Sequence, residues 1–294
     1  MFLQIIVITF PILAIVATGY LYAKKYQTDM EVANRLNLNI FLPALLLSVF
    51  TSKDFNLLDF QSLALGGLFV ILVSGLFALV VAKIIGFNVK TFVPPAMFVN
   101  SGNMGLPLAL FAFGKAAIPA AVVLFFIENT LHFTLGIKII DRRSSIINVI
   151  RIPMVVASVA GVTISLISYS VPELIITPIQ MLGEIAIPLM LFSLGVRLVE
   201  IDYNDWKIGL IGAVCRPLVG ILSVLLILPW ITLSNLNYAQ LIIFAILPPA
   251  VLNFMVAEKY NQEPKKVASI VLIGNLFSII SVPIALYFLL PSLS

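Results

Sequence analysis

The sequence predicts an all-α integral membrane protein: ten transmembrane helices in two inverted five-helix repeats, with the fourth and ninth helices broken. Three observations carry this expectation. Hydrophobic residues make up 61% of the 294 and charged residues 10%, and the mean hydropathy is +1.15, whereas soluble domains carry roughly 25% charged residues. Basic residues concentrate in every second loop. A Pro-Pro-Ala interruption occurs twice, in Val93-Pro94-Pro95-Ala96-Met97-Phe98 and in Leu247-Pro248-Pro249-Ala250-Val251-Leu252, each time inside an apolar segment of membrane length.

Apolar runs of about 18 to 25 residues suit a hydrocarbon core roughly 30 Å thick. They place spans near 2–22, 32–50, 61–85, 92–113, 117–138, 148–168, 176–197, 207–230, 239–258 and 267–290. The first is too long for a signal-peptide core, lacks a basic leader and is followed by Lys24-Lys25, so it reads as a retained span. The single Cys215 lies within a span and offers no intramolecular disulfide. The pI near 9.2 reflects basic loops and gives no reason to expect nucleic acid as a partner.

Those loops set the expected orientation. Of seventeen Lys and Arg residues, fourteen fall in odd-numbered loops: Lys24, Lys25, Arg35, Lys83, Lys90, Lys138, Arg142, Arg143, Arg151, Arg197, Lys207, Lys259, Lys265 and Lys266. Even-numbered loops hold Lys53 and Lys115, and Arg216 lies inside a span. By the positive-inside rule the odd loops are cytoplasmic and both termini lie outside. Trp206, Trp230, Tyr20, Tyr22 and Tyr238 fall near expected interfaces, where amphipathic rings sit. Gly66-Gly67, Gly75 and Gly161 suit close helix packing in lipid, within the chain or in a homodimer.

The two halves match in order. Pro43 and Pro188 lie in similar apolar hexads 145 residues apart, Pro94 and Pro248 are 154 apart, and Asn129 and Asn275 are 146 apart. Five helices per half is an odd number, so the second half enters the membrane from the opposite side. The expected division is a first repeat over 1–140, a cytoplasmic connector over 141–147 and a second, inverted repeat over 148–294. Paired broken helices in such repeats point to the substrate site of a secondary transporter, because irregular backbone survives at membrane depth only inside protein or beside water.

The first interruption continues as Asn100-Ser101-Gly102-Asn103-Met104-Gly105-Leu106-Pro107. Gly102 and Gly105 permit an unwound turn, and Pro107 suits the first turn of a new helix starting near Leu106. The donors and positive end of that helix could hold anionic oxygens, with Asn100, Ser101 and Asn103 as neutral partners. The second interruption offers Asn253, four residues past Pro249. The helix-breaking set is thus Pro94, Pro95, Gly102, Gly105, Pro107, Pro248 and Pro249.

Pro-Pro-Ala followed by Asn-x-Gly-x-x-Gly-Leu-Pro-Leu and Phe113-Gly114 resembles the bacterial branch of the auxin efflux carrier family. Gly183-Glu184-Ile185-Ala186-Ile187-Pro188-Leu189, Ser193-Leu194-Gly195 and Pro248-Pro249-Ala250 with Asn253 fit the same family. The resemblance covers essentially the whole chain. It implies that the fourth and ninth helices cross near the midplane and that the substrate is an organic anion, auxin-like in plant members and a small carboxylate such as malate or malonate in some bacterial ones. It also implies that Asn100 and Asn253 touch substrate, in an inner or plasma membrane. The long central loop of the plant carriers is lacking.

Ionisable residues within spans are functional candidates because burying them is costly. Glu128 and His132, four residues apart on one helix face, are candidates for proton exchange or for a structural bond. Glu184 is a candidate for attracting a coupling cation, and Arg216 for pairing with an acid or with a substrate carboxylate. A sodium-coupled symporter of the bile-acid carrier type would keep the fold but needs an oxygen cage, for which Glu258 is the acidic candidate. A receptor or intramembrane enzyme would need a dyad at membrane depth, for which Glu128 and His132 are the available material. One His, one Cys and the lack of any phosphate-cradling loop or Ser-His-Asp arrangement give no basis for a metal site, a cofactor or enzymatic activity. The expected coupling ion is a proton or sodium, with membrane potential as the other drive.

Overall fold

The computed structural model describes residues 2–52, 55–143, 151–167, 169–199 and 205–292. It is built of helices: α1 (Phe2–Lys25), α2 (Glu31–Leu36), α3 (Leu42–Phe50), α4 (Gln61–Ile85), α5 (Val89–Met97), α6 (Leu106–Phe113), α7 (Ile118–Leu131), α8 (Ile137–Ile140), α9 (Pro153–Leu166), α10 (Glu173–Arg197), α11 (Trp206–Ile227), α12 (Asn235–Ile246), α13 (Leu252–Lys259) and α14 (Pro264–Leu289). Among the described residues, seven helices are long and apolar enough to cross a membrane. The segments of the two interruptions are split into shorter pieces. The expected span 148–168 begins and ends outside the described residues, and so does most of the connector 141–147.

Local chemistry explains the boundaries. Asn88 accepts from the Lys90 N–H to start α5, Ser234 accepts from the Asn237 N–H to start α12, and Gly86 at φ 82° ends α4 in the left-handed conformation that costs glycine little. Three stretches widen into π-turns: Asn37–Phe41 between α2 and α3, Ser101–Gly105 before α6, and His132–Gly136 between α7 and α8. Pro43 and Pro107 follow the first two at the same distance. Each proline withholds the N–H that would reach back four residues, and the ladder slips by one residue upstream. In the third, Gly136 admits close approach: a Cβ there would lie 2.8 Å from the Phe98 ring and 2.9 Å from His132.

The helices form two packed groups. In one, α10 packs against α1 and α3, and α3 against α9. Gly19 and Gly195 let α1 and α10 touch through their backbones, since a Cβ on either would come within 2.2 Å of a carbonyl oxygen of the other helix. Such small-residue contacts are how helices associate where lipid offers no hydrophobic drive. In the other group, α11 packs against α14, α4 and α12, while α4 also meets α5 and α7. Large apolar side chains such as Leu76, Leu174, Leu218 and Phe288 face outward, as a lipid-exposed surface requires. Trp206 and Trp230, at the two ends of the α11 span, are exposed as well.

The two Pro-Pro pairs behave differently. Pro248 and Pro249 lie in the interruption, with α12 ending two residues before the first of them, as the restriction on pre-proline residues dictates. Pro94 and Pro95 instead sit inside α5, and the break falls three residues later, over Phe98–Asn100. A short helix tolerates two lost donors, and the Phe98 N–H still closes its last turn on the Pro94 carbonyl. Chain crossing ends it. Val99 and Pro249 form an antiparallel bridge, in which the Asn100 N–H donates to the Pro248 carbonyl (2.8 Å) and the Ala250 N–H to the Phe98 carbonyl (3.0 Å). Pro249 occupies the one ladder position where no N–H is required.

A polar clasp links α5 to the turn between α13 and α14. Thr91 donates to Glu263 at 2.5 Å and accepts from Gln262 at 3.0 Å, although Asn261 and Glu263 both hold positive φ. The bond from Lys266, then that from Thr91, keep the Glu263 carboxyl below its usual range. A depressed carboxyl favours folding above the ordinary carboxylate range, and that contribution is lost as pH falls through the folded value. Glu263→Gln should therefore lower Tm at neutral pH, with the gap to wild type narrowing as pH falls below about 4. An equal gap at both pH values would contradict this assignment.

Candidate functional site

The crossing is pinned by asparagines. Asn100, with φ −77° and ψ 57°, forms the bend of an inverse γ-turn in which the Ser101 N–H reaches the Val99 carbonyl at 2.8 Å. Its side-chain amide donates to Asn275 Oδ1 (2.9 Å), and its Oδ1 accepts from the Asn103 N–H (3.2 Å). Asn275, on α14, donates in turn to the Pro249 carbonyl (3.1 Å). Asn253 donates to the Phe98 and Ala250 carbonyls at 3.2 and 2.9 Å. Backbone donors and acceptors exposed by two broken helices are thus met by side-chain amides from both halves of the chain.

An acidic pair braces the same point. Ser101 donates to Glu128 Oε2 at 2.9 Å, and His132 Nδ1 lies 3.3 Å from Glu128 Oε1. Glu128 and His132 are almost completely buried. The imidazole stacks on Phe98, with centroids 4.3 Å apart and planes at 8°. The pair therefore touches the crossing twice, through Ser101 and through Phe98.

A cavity of about 120 Å³ opens beside the crossing. At roughly 30 Å³ per water it has room for about four waters or a carboxylate of a few carbons. On the crossing side it meets Asn100, Gly102, Asn103, Glu128 and Asn129; on the other side, α2, α3 and α10 contribute Asn34, Asn37, Leu42, Ser193 and Arg197. It thus lies between the two helix groups. All three π-turns reach it, through Asn37, Asn103 and Phe133. Arg197 is its one cation among the described residues. Asn34, Arg197, Val251 and Met255 also border a vestibule of about 650 Å³, whose rim carries Asp29, Glu31, Glu258 and Lys265.

Residues 142–286 match the family model described as "Membrane transport protein". A Rhizobium meliloti relative named "Putative malonate transporter" is 26% identical over 94% of this chain and 93% of its own length. An "Uncharacterized transporter" of Methanocaldococcus jannaschii is 21% identical over 92% of this chain and 94% of the relative. These matches and the motifs in the sequence make the chain similar to the auxin efflux carrier family. With its long apolar helices, the chain has the character of a multi-pass membrane protein of the transport class.

Within the structure the candidates read from sequence are dispersed. Asn100, Gly102, Asn103 and Glu128 border the cavity, while Ser101, His132 and Asn253 stand behind it and hold the crossing. Gly105 packs against Leu247, and Pro107 lies in the first turn of α6. The helix N-terminus expected to offer free donors is partly capped, because Asn100 itself accepts from the Asn103 N–H. Glu258 borders the vestibule and not the crossing. Glu184 is exposed on the outer face of α10 among Met181, Leu182 and Ile185, away from both cavities. Its helix turns Gly183, Ala186 and Ile187 inward and leaves 184 outside. Arg216 is fully buried with all three guanidinium nitrogens unpaired.

Sequence reasoning missed Asn34, Asn37, Ser193, Arg197 and Asn275. Asn275 had a signal, its match to Asn129 across the halves. Arg197 carried none, because a basic residue ending a span reads first as an orientation charge.

Proposed function

We propose that this chain is a secondary carrier that moves a small organic anion across the membrane by alternating access, built from inverted repeats over 1–140 and 148–294 joined by the connector 141–147. The observation that carries the reading is the cavity between the two helix groups, where the paired interruptions meet. Its walls offer amide and hydroxyl groups and, among the described residues, the one cation Arg197, which suits a carboxylate better than a neutral or cationic solute. Relative movement of the groups would open such a cavity to one side at a time, and the vestibule is the route on the side of the basic loops, which positive-inside reasoning assigns to the cytoplasm. Asn100 and Asn103 then face substrate, while Asn253 and Asn275 keep the crossing in shape. The name of the Rhizobium meliloti relative and the cavity's size point to short dicarboxylates such as malonate. The sodium-coupled alternative finds little support, since the single carboxylate on the cavity is already bonded to Ser101 and His132.

The test is uptake of labelled malonate, malate and indole-3-acetate into proteoliposomes under imposed pH or sodium gradients. Saturable uptake of a small dicarboxylate that is indifferent to sodium is the expected result. Strict sodium dependence would favour the alternative, and the lack of any uptake under any gradient would overturn the carrier reading.

A further inference from the structure

Arg216 is the strangest group in the molecule: a wholly buried guanidinium with three nitrogens that bond to nothing. Its position is set by α11 and α12. A Cβ on Gly220 would lie 1.8 Å from the Ala245 carbonyl oxygen and 2.8 Å from Arg216 Nη1, so Arg216 sits beside the last turn of α12. The usual donors to the Phe244 and Ala245 carbonyls would be the N–H groups at 248 and 249, and both positions are proline. The cation therefore stands at a helix C-terminus whose negative end is accentuated by the break.

We propose that anion binding is accompanied by uptake of one proton by the Glu128–His132 pair at the cavity's edge, with Arg216 as a buried cation at the adjoining helix terminus. This rests on the carrier reading above and adds its coupling. A carboxylate entering the cavity that Glu128 borders meets a like charge in a poorly screened setting. A proton on the pair removes that repulsion. The second charge of a dicarboxylate is met by Arg197 at the cavity's edge. Protonation also alters the bonds to Ser101 and to the imidazole stacked on Phe98, so the proton is registered at the crossing itself.

No other described ionisable group competes. Beyond Arg216 on α11 and Arg197 on α10, the neighbouring α3, α6, α9 and α12 bring no Asp, Glu, Lys, Arg or His to the pair. Lys83 of α4 and Lys138 of α8 are exposed, and Lys90 of α5 is bonded to the Ile140 carbonyl at 2.8 Å. His132 is the chain's only histidine.

The experiment adds malonate to the purified carrier in a weakly buffered solution with a pH-indicator dye, near neutrality, where malonate is fully ionised. About one proton taken up per malonate bound is expected, with malonate affinity falling as pH rises, as linkage requires. Glu128→Gln should abolish the dye signal and flatten the pH profile, whereas Arg216→Lys, which keeps the charge, should preserve both. Malonate binding that needs Asn100 but takes up no proton in the wild type overturns the coupling and leaves the carrier reading standing. Proton uptake that survives in a folded Glu128→Gln variant overturns the assignment to this pair. If neither malonate nor any other carboxylate binds or is transported, both readings fall.

Discussion

Uptake by an Asn100→Ala variant is expected to fall by about two orders of magnitude, the loss that a displacement of roughly 1 Å in a positioning group can bring. Asn100 faces the cavity and also closes the crossing, through Asn275 on one side and the Asn103 N–H on the other. Alanine leaves a buried carbonyl oxygen and a part-buried N–H without partners, at about 1–3 kcal/mol for each fully buried group. The rest of the crossing survives, because the bridge at Val99 and Pro249 uses backbone atoms alone. The variant should therefore still fold, with a lowered Tm, while transport collapses. Asn100→Asp discriminates further. It can still accept from the Asn103 N–H, but ionised it cannot donate to Asn275 and places a negative charge where an anion should bind. It is expected to be as inactive as alanine. Wild-type uptake by either variant would remove Asn100 from the site.

The sequence made the membrane class and the position of the site legible for separate physical reasons. Lipid requires long unbroken apolar helices, so a Pro-Pro pair within one is conspicuous, and its recurrence led to Val99 and Pro249. The exact site of each break was less legible. Pro248 and Pro249 form the interruption, yet Pro94 and Pro95 ride inside α5, because proline fixes φ at a helical value and only withholds donors. Where the chain leaves the helix is decided by its partner strand, which is non-local information. The π-turns illustrate the same limit. Pro43 and Pro107 give a local cause for two of them, whereas the third, at His132, depends on Gly136 meeting Phe98 from another segment.

Side-chain roles divided similarly. Asn100 and Asn103 were readable because they sit in the interruption. Asn253 looked equivalent, but its amide turns to the Phe98 and Ala250 carbonyls, so it braces the crossing from behind. Glu184 looked buried by its depth in an apolar run. A helix of alternating faces exposes some residues at every depth, and Gly183, packed on the α3 backbone, fixes the face that leaves Glu184 outside.

Arg197→Ala is expected to raise the KM for a dicarboxylate by about tenfold to a hundredfold, with the maximal rate changed far less. Arg197 ends α10 at the junction of cavity and vestibule and is the one cation lining the cavity among the described residues. A hydrogen bond to a charged group contributes about 1.5–3 kcal/mol, which corresponds to that range at 1.4 kcal/mol per tenfold. Arg197 touches the Met255 sulfur at 3.9 Å, and the split between KM and maximal rate separates a role in binding from one in structure. Arg197→Lys should recover part of the loss, because an ammonium keeps the charge but lacks the planar fork that grips both carboxylate oxygens. A monocarboxylate, which has no second charge to place at the rim, should be less sensitive than malonate. That difference between substrates is the decisive readout: equal losses for both would mean that Arg197 shapes the cavity, and an unchanged KM for both would mean that the anion is held elsewhere along the crossing.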